Sequence, residues 1–324
     1  MPSSLAVQNT ITNPDHVPVL LNEVIKGLSL QEGGLYVDGT FGAGGYSVAM
    51  LKATDCNVIA IDRDPEALER GREIVNAFEG RLKLLQGRFG DLDQLLEQEG
   101  VKSVDGIVLD LGISSMQVDD RARGFSFLRD GPLDMRMEKA GMSAADAVNT
   151  LSESDLANII RRYGEEKHAL RVARAIVKIR KIRPFMRTIH LADTIRSEVR
   201  RSRAGIDPAT RTFQALRIYI NDELGELERG LKGAEKVLVN KGRLVAVSFH
   251  SLEDRIVKTF LRNKSDRAPS PSRHQPINNL KNDISFKMVN MRALTPSRRE
   301  ILGNPRSRSA RLRIAEKISD QDNI

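Results

Sequence analysis

The stretch YVDGTFGAGGY at residues 36–46 decides the fold of this chain. It places an acid, Asp38, at the end of a short β-branched run and follows it with Gly42, Gly44, Gly45 and a helical pattern. Glycines permit a tight turn and the close approach of a ligand to the backbone. The stretch therefore predicts a strand, a ligand-binding turn and a helix.

Working outward from this turn, short β-branched runs alternate with helical stretches. The runs are 35–38, 58–62, 82–85, 106–110 and 243–249. This rhythm predicts an α/β fold with a parallel sheet and crossover helices. Asp38, Asp62, Phe89 and Asp110 end or follow the first four runs, and ligands bind at the carboxyl ends of parallel strands. We expect the site at that edge.

The acids narrow the choice of ligand, because nicotinamide enzymes, flavin enzymes and methyltransferases share a glycine-rich turn. A dinucleotide needs its pyrophosphate over the glycines, where Asp38 would repel it, so the turn suits a cationic ligand. Asp62 lies 20 residues after Gly42, where a carboxylate can accept both hydroxyls of a ribose. The alternative for Asp62 is a helix N-cap, although Asp64 before Pro65 can supply that cap.

After Asp110 the rhythm of strands stops, and residues 115–215 predict an inserted all-helical domain. Between Arg161 and Arg203 there are 14 basic and 4 acidic residues, whereas the whole chain carries +8. Arg171, Arg174, Lys178 and Lys181 fall near one helical face, opposite the apolar stripe of Val172, Ile176 and Ile179. The pattern predicts a surface for a polyanion, with a solvated helical face as the alternative.

The rest of the chain returns to the sheet. A helix over 216–240, stopped by Gly242, precedes the strand at 243–249, and 286–290 with 310–318 predict a terminal pair that completes seven strands. The basic residues Arg298, Arg299, Arg306 and Arg308 lie in a loop between these two. We expect a loose tail at 1–15, a mobile loop at 264–284, and one core domain from 1–114 and 216–324.

Composition bounds the class of protein. The 324 residues include 40% apolar residues but no apolar run long enough to cross a bilayer, which favours a cytoplasmic globular protein without membrane contact. Cys56 is the single cysteine, so an internal disulfide is excluded. The five histidines show no metal-ligand spacing, and we predict no metal.

Seven motifs together resemble the ribosomal RNA small-subunit methyltransferase H family, also called the MraW family. They are DGTFGAGG at 38–45, AIDRDP at 60–65, LDLGISS at 109–115, RGFSF at 123–127, GPLDMRM at 131–137, RTFQA at 211–215 and SFHSLEDR at 248–255. The resemblance covers about residues 16–318. It implies a Rossmann-like class I sheet that binds S-adenosylmethionine (SAM), and methyl transfer to the N4 amine of a decoding-region cytidine in 16S rRNA.

The resemblance also implies the residues that bind SAM: Gly44, Gly45, Tyr46, Asp62, Phe89, Asp110 and Gln117. Phe89 follows the third strand, where an apolar ring can stack on adenine, with an ordinary core phenylalanine as the alternative. Gln117 rests on the resemblance alone. Tyr46 departs from the family, in which histidine is common at this position, so a role that needs an imidazole there is in doubt.

For the reaction, we expect Asp110 to contact the cofactor or the amine and His250 to assist by accepting or relaying a proton. The alternative for His250 is a loop hydrogen bond. Asp110 is not followed by the two prolines and the aromatic residue of many amino-methyltransferases, so another group must hold the base. Phe125, Phe127, Phe249 and His250 are the candidates.

The expected substrate is 16S rRNA or the small ribosomal subunit, gripped at phosphates by the helical insertion and the basic loops, with Arg136, Arg211 and Arg217 as the best single candidates. Three alternatives stay open. They are a methyltransferase acting on DNA or tRNA cytosine, a nicotinamide oxidoreductase, and a non-enzymatic RNA-binding protein that keeps a relic pocket.

Overall fold

The computed structural model of the chain describes residues 18–200, 205–265 and 284–319. The predicted tail at 1–15 and most of the predicted loop at 264–284 lie outside these residues. The chain divides into two compact units, Met1–Gly112 with Gly225–Ile324, and Ile113–Leu224.

The first unit contains a seven-stranded sheet. Its strands are β1 Leu35–Asp38, β2 Asn57–Asp62, β3 Leu82–Gln86, β4 Val104–Asp110, β5 Leu238–Ser248, β6 Phe286–Met288 and β7 Arg311–Lys317. Their order is β3-β2-β1-β4-β5-β7-β6. β1 to β5 pair in parallel, whereas β7 is antiparallel to β5 and to β6. The predicted α/β sheet with a terminal antiparallel pair is confirmed.

Helices connect the strands and build the second unit. They are α1 Leu21–Leu28, α2 Gly45–Ala53, α3 Pro65–Ala77, α4 Leu92–Gln98, α5 Ser115–Asp119, α6 Ala144–Thr150, α7 Glu153–Gly164, α8 Ala169–Arg180, α9 Thr188–Glu198, α10 Ala209–Asn221, α11 Glu223–Val237, α12 Ser251–Asn263 and α13 Arg298–Gly303. Among the described residues, none of these helices combines the length and the apolar character needed to span a membrane.

Both faces of the sheet are buried, as alternation along β2 shows. Val58 and Ala60 belong to the apolar core that also contains Val24 of α1. Ile59 and Ile61 belong to the opposite core, which includes residues of α4, α11 and α12. Successive side chains of a strand point to opposite faces, so helices on both sides are required. This arrangement leaves the carboxyl ends of the strands as the place for a site.

The second unit has a core of its own, in which Phe185, Val172 and Ile176 are fully buried. Apart from the isolated bridge Pro132↔Arg187, its described residues contain no strand. Arg171 and Arg174 lie exposed on α8, opposite its buried stripe, so the predicted segregation of charge on this helix is confirmed.

The single helix predicted at 216–240 is wrong. The structure has two helices, because Asp222 adopts a left-handed conformation with φ of 51° between α10 and α11. Aspartate is one of the few non-glycine residues that tolerate this region. The second helix ends at Val237 and β5 begins at once, because Leu238 already pairs with Val104 across a register shift that precedes Arg243.

The basic segment predicted as a loop between the last two strands is also partly wrong. Arg298 and Arg299 begin α13, which Ser297 caps by accepting from the Glu300 N–H at 3.2 Å. Arg306 and Arg308 lie in the 3₁₀-helix Pro305–Ser309. A serine cap followed by a proline turn is local chemistry that the charge pattern concealed.

Candidate functional site

The candidate site lies where β1, β2 and β4 end at the same edge of the sheet. β1 pairs with β2 on one side and with β4 on the other, so the winding of the sheet reverses at β1. Such a switch point opens a crevice for ligands beyond the strand ends. The three strands end in Asp38, Asp62 and Asp110.

Two glycines shape the turn after β1. Gly42 and Gly44 have φ of 53° and 77°, a region that L side chains rarely adopt. A Cβ on Gly44 would also lie 2.8 Å from Ile74 Cδ1 and 2.9 Å from the Phe41 ring. The backbone at the start of α2 is therefore tightly packed from behind.

Asp38 is fully buried behind this turn. Its Oδ1 accepts from the Thr40 N–H at 3.2 Å and its Oδ2 from the Ser47 hydroxyl at 2.7 Å. Burial raises the pKa of Asp38 to about 6, even though these hydrogen bonds favour the charged form. A carboxylate so placed repels a phosphate and attracts a cation.

Asp62 ties the turn to β2. Its Oδ2 accepts from the Gly42 N–H and its Oδ1 from the Asp64 N–H, both at 2.8 Å. Asp64, not Asp62, caps α3, by accepting from the Glu66 N–H at 3.1 Å. The alternative interpretation of Asp62 as that cap is therefore wrong. Each carboxylate oxygen keeps a second lone pair for a ribose hydroxyl.

Asp110 differs from the other two acids. Its N–H donates to the Thr40 hydroxyl at 2.7 Å, which fixes the strand end. Its Oδ1 is buried without a hydrogen-bond partner among the described residues. Burial, followed by the charges of Asp38 and Glu253, holds the pKa of Asp110 well above its usual value. A buried acceptor without a donor is costly, so this oxygen fits an N–H or a cation from a ligand.

Tyr46 and Phe89 both pack into the protein. Tyr46 is buried, and its hydroxyl donates to the Val19 carbonyl, so the ring belongs to the core and its backbone at the start of α2 is the part near the turn. Phe89 begins a 3₁₀-helix and is half-buried. A Cβ on Gly230 would lie 2.6 Å from its Cδ2, so the ring rests on α11.

His250 caps α12. Its Nδ1 accepts from the Glu253 N–H at 3.3 Å, while Glu253 Oε2 accepts from the Phe249 and His250 N–H groups at 2.7 and 3.2 Å. Because Nδ1 accepts, a neutral ring carries its hydrogen on Nε2, which lies 3.0 Å from Glu253 Oε1 but outside hydrogen-bonding geometry. The structure therefore shows the loop hydrogen bond that was the alternative to proton relay.

Three residues that act on these acids were not predicted. Thr40 and Ser47 donate hydrogen bonds to Asp38, and the charge of Glu253 raises the pKa of Asp110. Thr40 stands two residues after Asp38, a spacing typical of a local side-chain turn, so it was accessible to sequence reasoning. Ser47 and Glu253 depend on contacts that only the fold creates.

Gln117 lies in the second unit, at the start of α5. Its N–H donates to Ser114 Oγ and its Oε1 accepts from the Ser114 N–H, both at 3.2 Å. The candidates for stacking in this unit are packed: Phe125 is buried, and Phe127 meets Phe213 edge-on with ring centroids 4.8 Å apart. Phe249, in the first unit, is half-buried against its core.

The three arginines predicted to bind RNA are engaged to different degrees. Arg217 forms two bonds of 2.8 Å with Glu223, and this pair is largely buried. Arg136 donates to both oxygens of Asp134 at 2.9 and 2.7 Å. Arg211 is half-exposed and lies 3.6 Å from Glu166. Arg211 is therefore the freest of the three, while the buried pair makes Arg217 a structural residue of its unit.

Comparison with known proteins gives concordant matches. The profile of the MraW methylase family matches residues 13–318. A ribosomal RNA small subunit methyltransferase H from Paramagnetospirillum magneticum is 56% identical over 305 residues, which cover 94% of this chain and 96% of the relative. The protein of the same name from Rhodospirillum centenum is 55% identical, with coverage of 94% and 92%.

Among solved structures, a putative rRNA methylase from Clostridium thermocellum aligns with a TM-score of 0.44 and 11% identity, covering 94% of this chain and 98% of that one.

Proposed function

Because the chain belongs to the MraW methylase family, we propose that it transfers a methyl group from S-adenosylmethionine to the N4 amine of a decoding-region cytidine in 16S rRNA. Membership makes the chain a methyltransferase, and S-adenosylmethionine is its cofactor, as the sequence predicts. The class I methyltransferase fold expected from the resemblance is likewise confirmed. The rRNA substrate is supported by the names of the relatives, and the N4 position by the resemblance of the motifs.

The observation that carries the proposal is the orphaned acceptor of Asp110. Strand ends that hold this oxygen and the buried carboxylate of Asp38 favour a ligand with positive charge or N–H donors. SAM carries an ammonium and a sulfonium, and the target amine carries two N–H bonds. A pyrophosphate offers neither, which argues against the nicotinamide alternative.

We assign the cofactor to the turn and the strand ends of the first unit. The packed backbone at Gly44, Gly45 and the start of Tyr46 gives a ligand a close approach, and Asp62 keeps lone pairs for the ribose. Phe89 is assigned to the adenine, with one side of its ring on α11. Gln117 remains assigned by resemblance alone.

The chemistry requires positioning more than acid–base strength. The cytosine amine is a weak nucleophile because its lone pair is delocalised into the ring. Bound SAM supplies an electrophilic methyl group together with its leaving group. We assign Asp110 as the group that would accept the N–H of the amine and take the proton that the nitrogen loses when it gains the methyl group. Alignment of such groups can supply roughly 7–11 kcal/mol of the barrier reduction.

We assign His250 a positioning role. With Nδ1 engaged in the cap, its neutral ring has a hydrogen and no free lone pair to take a proton. It holds Glu253, whose charge acts on Asp110.

An rRNA substrate also implies that the protein works in the cytoplasm.

The test is to incubate the protein with labelled SAM and small subunits from cells that lack this enzyme, then to map the labelled base by mass spectrometry. We expect one N4-methylated cytidine in 16S rRNA. Parallel reactions contain tRNA and duplex DNA, and label in either of these instead would contradict the proposal. Calorimetry with SAM and with NADH tests the cofactor separately.

A further inference from the structure

We propose that a basic groove along α8 is a binding site for the RNA phosphate backbone, an inference that rests on the proposed function and gives the substrate its docking surface. The groove has a volume of about 490 Å³ and lies within the second unit. Its lining includes Lys167, Leu170, Arg171, Arg174, Lys178 and Glu198.

The spacing of the cations fits a linear polyanion. Arg171, Arg174 and Lys178 follow one another on the same face of α8, and Lys167 precedes the helix. With a rise of about 1.5 Å per residue, the stretch from Arg171 to Lys178 spans about 10 Å. One strand of duplex DNA carries a phosphate about every 3.4 Å along the axis, and RNA strands are at least as densely charged, so the row can meet more than one phosphate.

The ion pairs of this groove are of the kind that a phosphate can replace. Arg171 bonds Glu198 at 2.9 Å and Arg174 bonds Glu153 at 3.1 Å. The side chains of Arg171 and Arg174 stay 59% and 66% exposed, so these pairs are screened and hold little energy. The pair of Arg217, by contrast, is largely buried.

An apolar residue completes the groove. Leu170 is 40% exposed between the cations, while Ala175 forms part of the lining beside them. The backbone of a nucleic acid presents the carbon atoms of its sugars as well as its phosphates. A groove that is both basic and apolar is therefore a better match for RNA than for a free anion. The solvated helical face that was the alternative would not require this concavity.

The first test removes two cations. We expect Arg171→Gln/Arg174→Gln to weaken binding of a fluorescein-labelled RNA hairpin from the small-subunit decoding region by about tenfold. The negative slope of log K against log salt should become shallower by about 2. The matched control is Arg70→Gln/Arg72→Gln, which removes two exposed, ion-paired arginines from α3. Affinity and slope equal to those of the control would overturn the proposal.

The second test cannot be confused with misfolding, because it predicts a gain. Glu198→Gln frees Arg171 from its carboxylate and should tighten binding of the hairpin by about twofold to threefold. Glu69→Gln, which frees Arg72 on α3, should change it little. Weaker binding by Glu198→Gln would contradict the proposal. The proposal would also be contradicted if the double arginine variant lost binding of poly-glutamate and kept binding of the hairpin, because the groove would then be a site for an acidic polypeptide.

The outcome is separable from that of the proposed function. For methyl transfer, the double arginine variant should show a higher KM for small subunits with kcat and SAM affinity unchanged. If the wild-type protein binds the hairpin through the groove but methylates no 16S rRNA, the proposed function fails and the groove stands. If it methylates 16S rRNA and the variants match their controls, the groove fails alone.

Discussion

The two units use charge in opposite ways. At the strand ends of the first unit, Asp38 and Asp110 are withdrawn from water, and burial raises the pKa of both. On α8 of the second unit, Arg171 and Arg174 stand in solvent beside carboxylates. Buried charge is strong and specific but costly, whereas exposed charge is weak and salt-dependent. Substitutions of the buried acids should therefore have large effects, and substitutions of the exposed arginines should have graded ones.

The sharpest way to break this comparison is Asp110→Asn, which keeps an acceptor oxygen but cannot take the proton that the amine releases. We expect kcat for methyl transfer to fall by about 10²–10⁴, the usual contribution of a positioned proton acceptor. Single-turnover rates with SAM binding measured in parallel would check this. A variant with kcat within tenfold of wild type would show that Asp110 is not the acceptor.

The second largest effect concerns the turn. Gly44→Ala should destabilise the protein by about 2–5 kcal/mol. It places a side chain on a backbone in the left-handed conformation, and the new Cβ clashes with Phe41 and Ile74. Gly33→Ala is the control, since Gly33 has a similar φ of 72° with open space around it, and it should cost about 1–2 kcal/mol. Urea unfolding measures both. Equal losses would mean that the packing behind the turn is unimportant.

A graded effect is expected from pH. The pKa of Asp38 in the folded protein, about 6, lies above the ordinary aspartate value of 3.8, so the ligand-free site holds a proton that a cationic ligand must displace. SAM affinity should fall as pH drops below 6, by up to tenfold per pH unit for each such group. The same shift makes the ligand-free fold lose stability as pH rises from about 4 to about 6. Calorimetry in buffers of different ionisation enthalpy detects the released protons, and pH-independent affinity between 5 and 7 would refute the interpretation.

The smallest effect is predicted for His250. His250→Ala should lose about 1 kcal/mol of stability, the usual value of a helix N-cap, and His250→Asn should restore it because Asn caps well. Methyl transfer by the Asn variant should stay within about threefold of wild type. If the Asn variant is stable but inactive, the imidazole of His250 takes part in the reaction and the positioning role is wrong.

The acids of the site could be predicted from the sequence, whereas the residues around them could not, for a physical reason. Asp38, Asp62 and Asp110 end strands, so β-branched runs and sheet topology sufficed to find them. Ser47 and Glu253 act through packing of helices on the sheet, which no local pattern encodes. The break at Asp222 was hidden because helical periodicity continues on both sides of it.

The predicted RNA-binding arginines show the same limit. Glu223 and Asp134 lie six and two residues from Arg217 and Arg136, and only the fold shows that they neutralise them. The segregated face of α8 could be predicted because helical spacing alone fixes which side chains share a face. The sequence thus identified the basic face of α8 with Arg171 and Arg174, but it could not show which of the other predicted arginines are held by carboxylates.

Thr40 has a mechanical consequence for the crevice. The backbone ladder between β1 and β4 reaches the Gly39 N–H, which donates to the Val108 carbonyl at 2.9 Å, and the Thr40 hydroxyl then accepts from the Asp110 N–H. One side chain thus takes over where main-chain pairing ends and sets the gap between the two neighbouring loops. A ligand that binds there contacts two loops whose separation is already fixed, so less of its binding free energy is lost in ordering them.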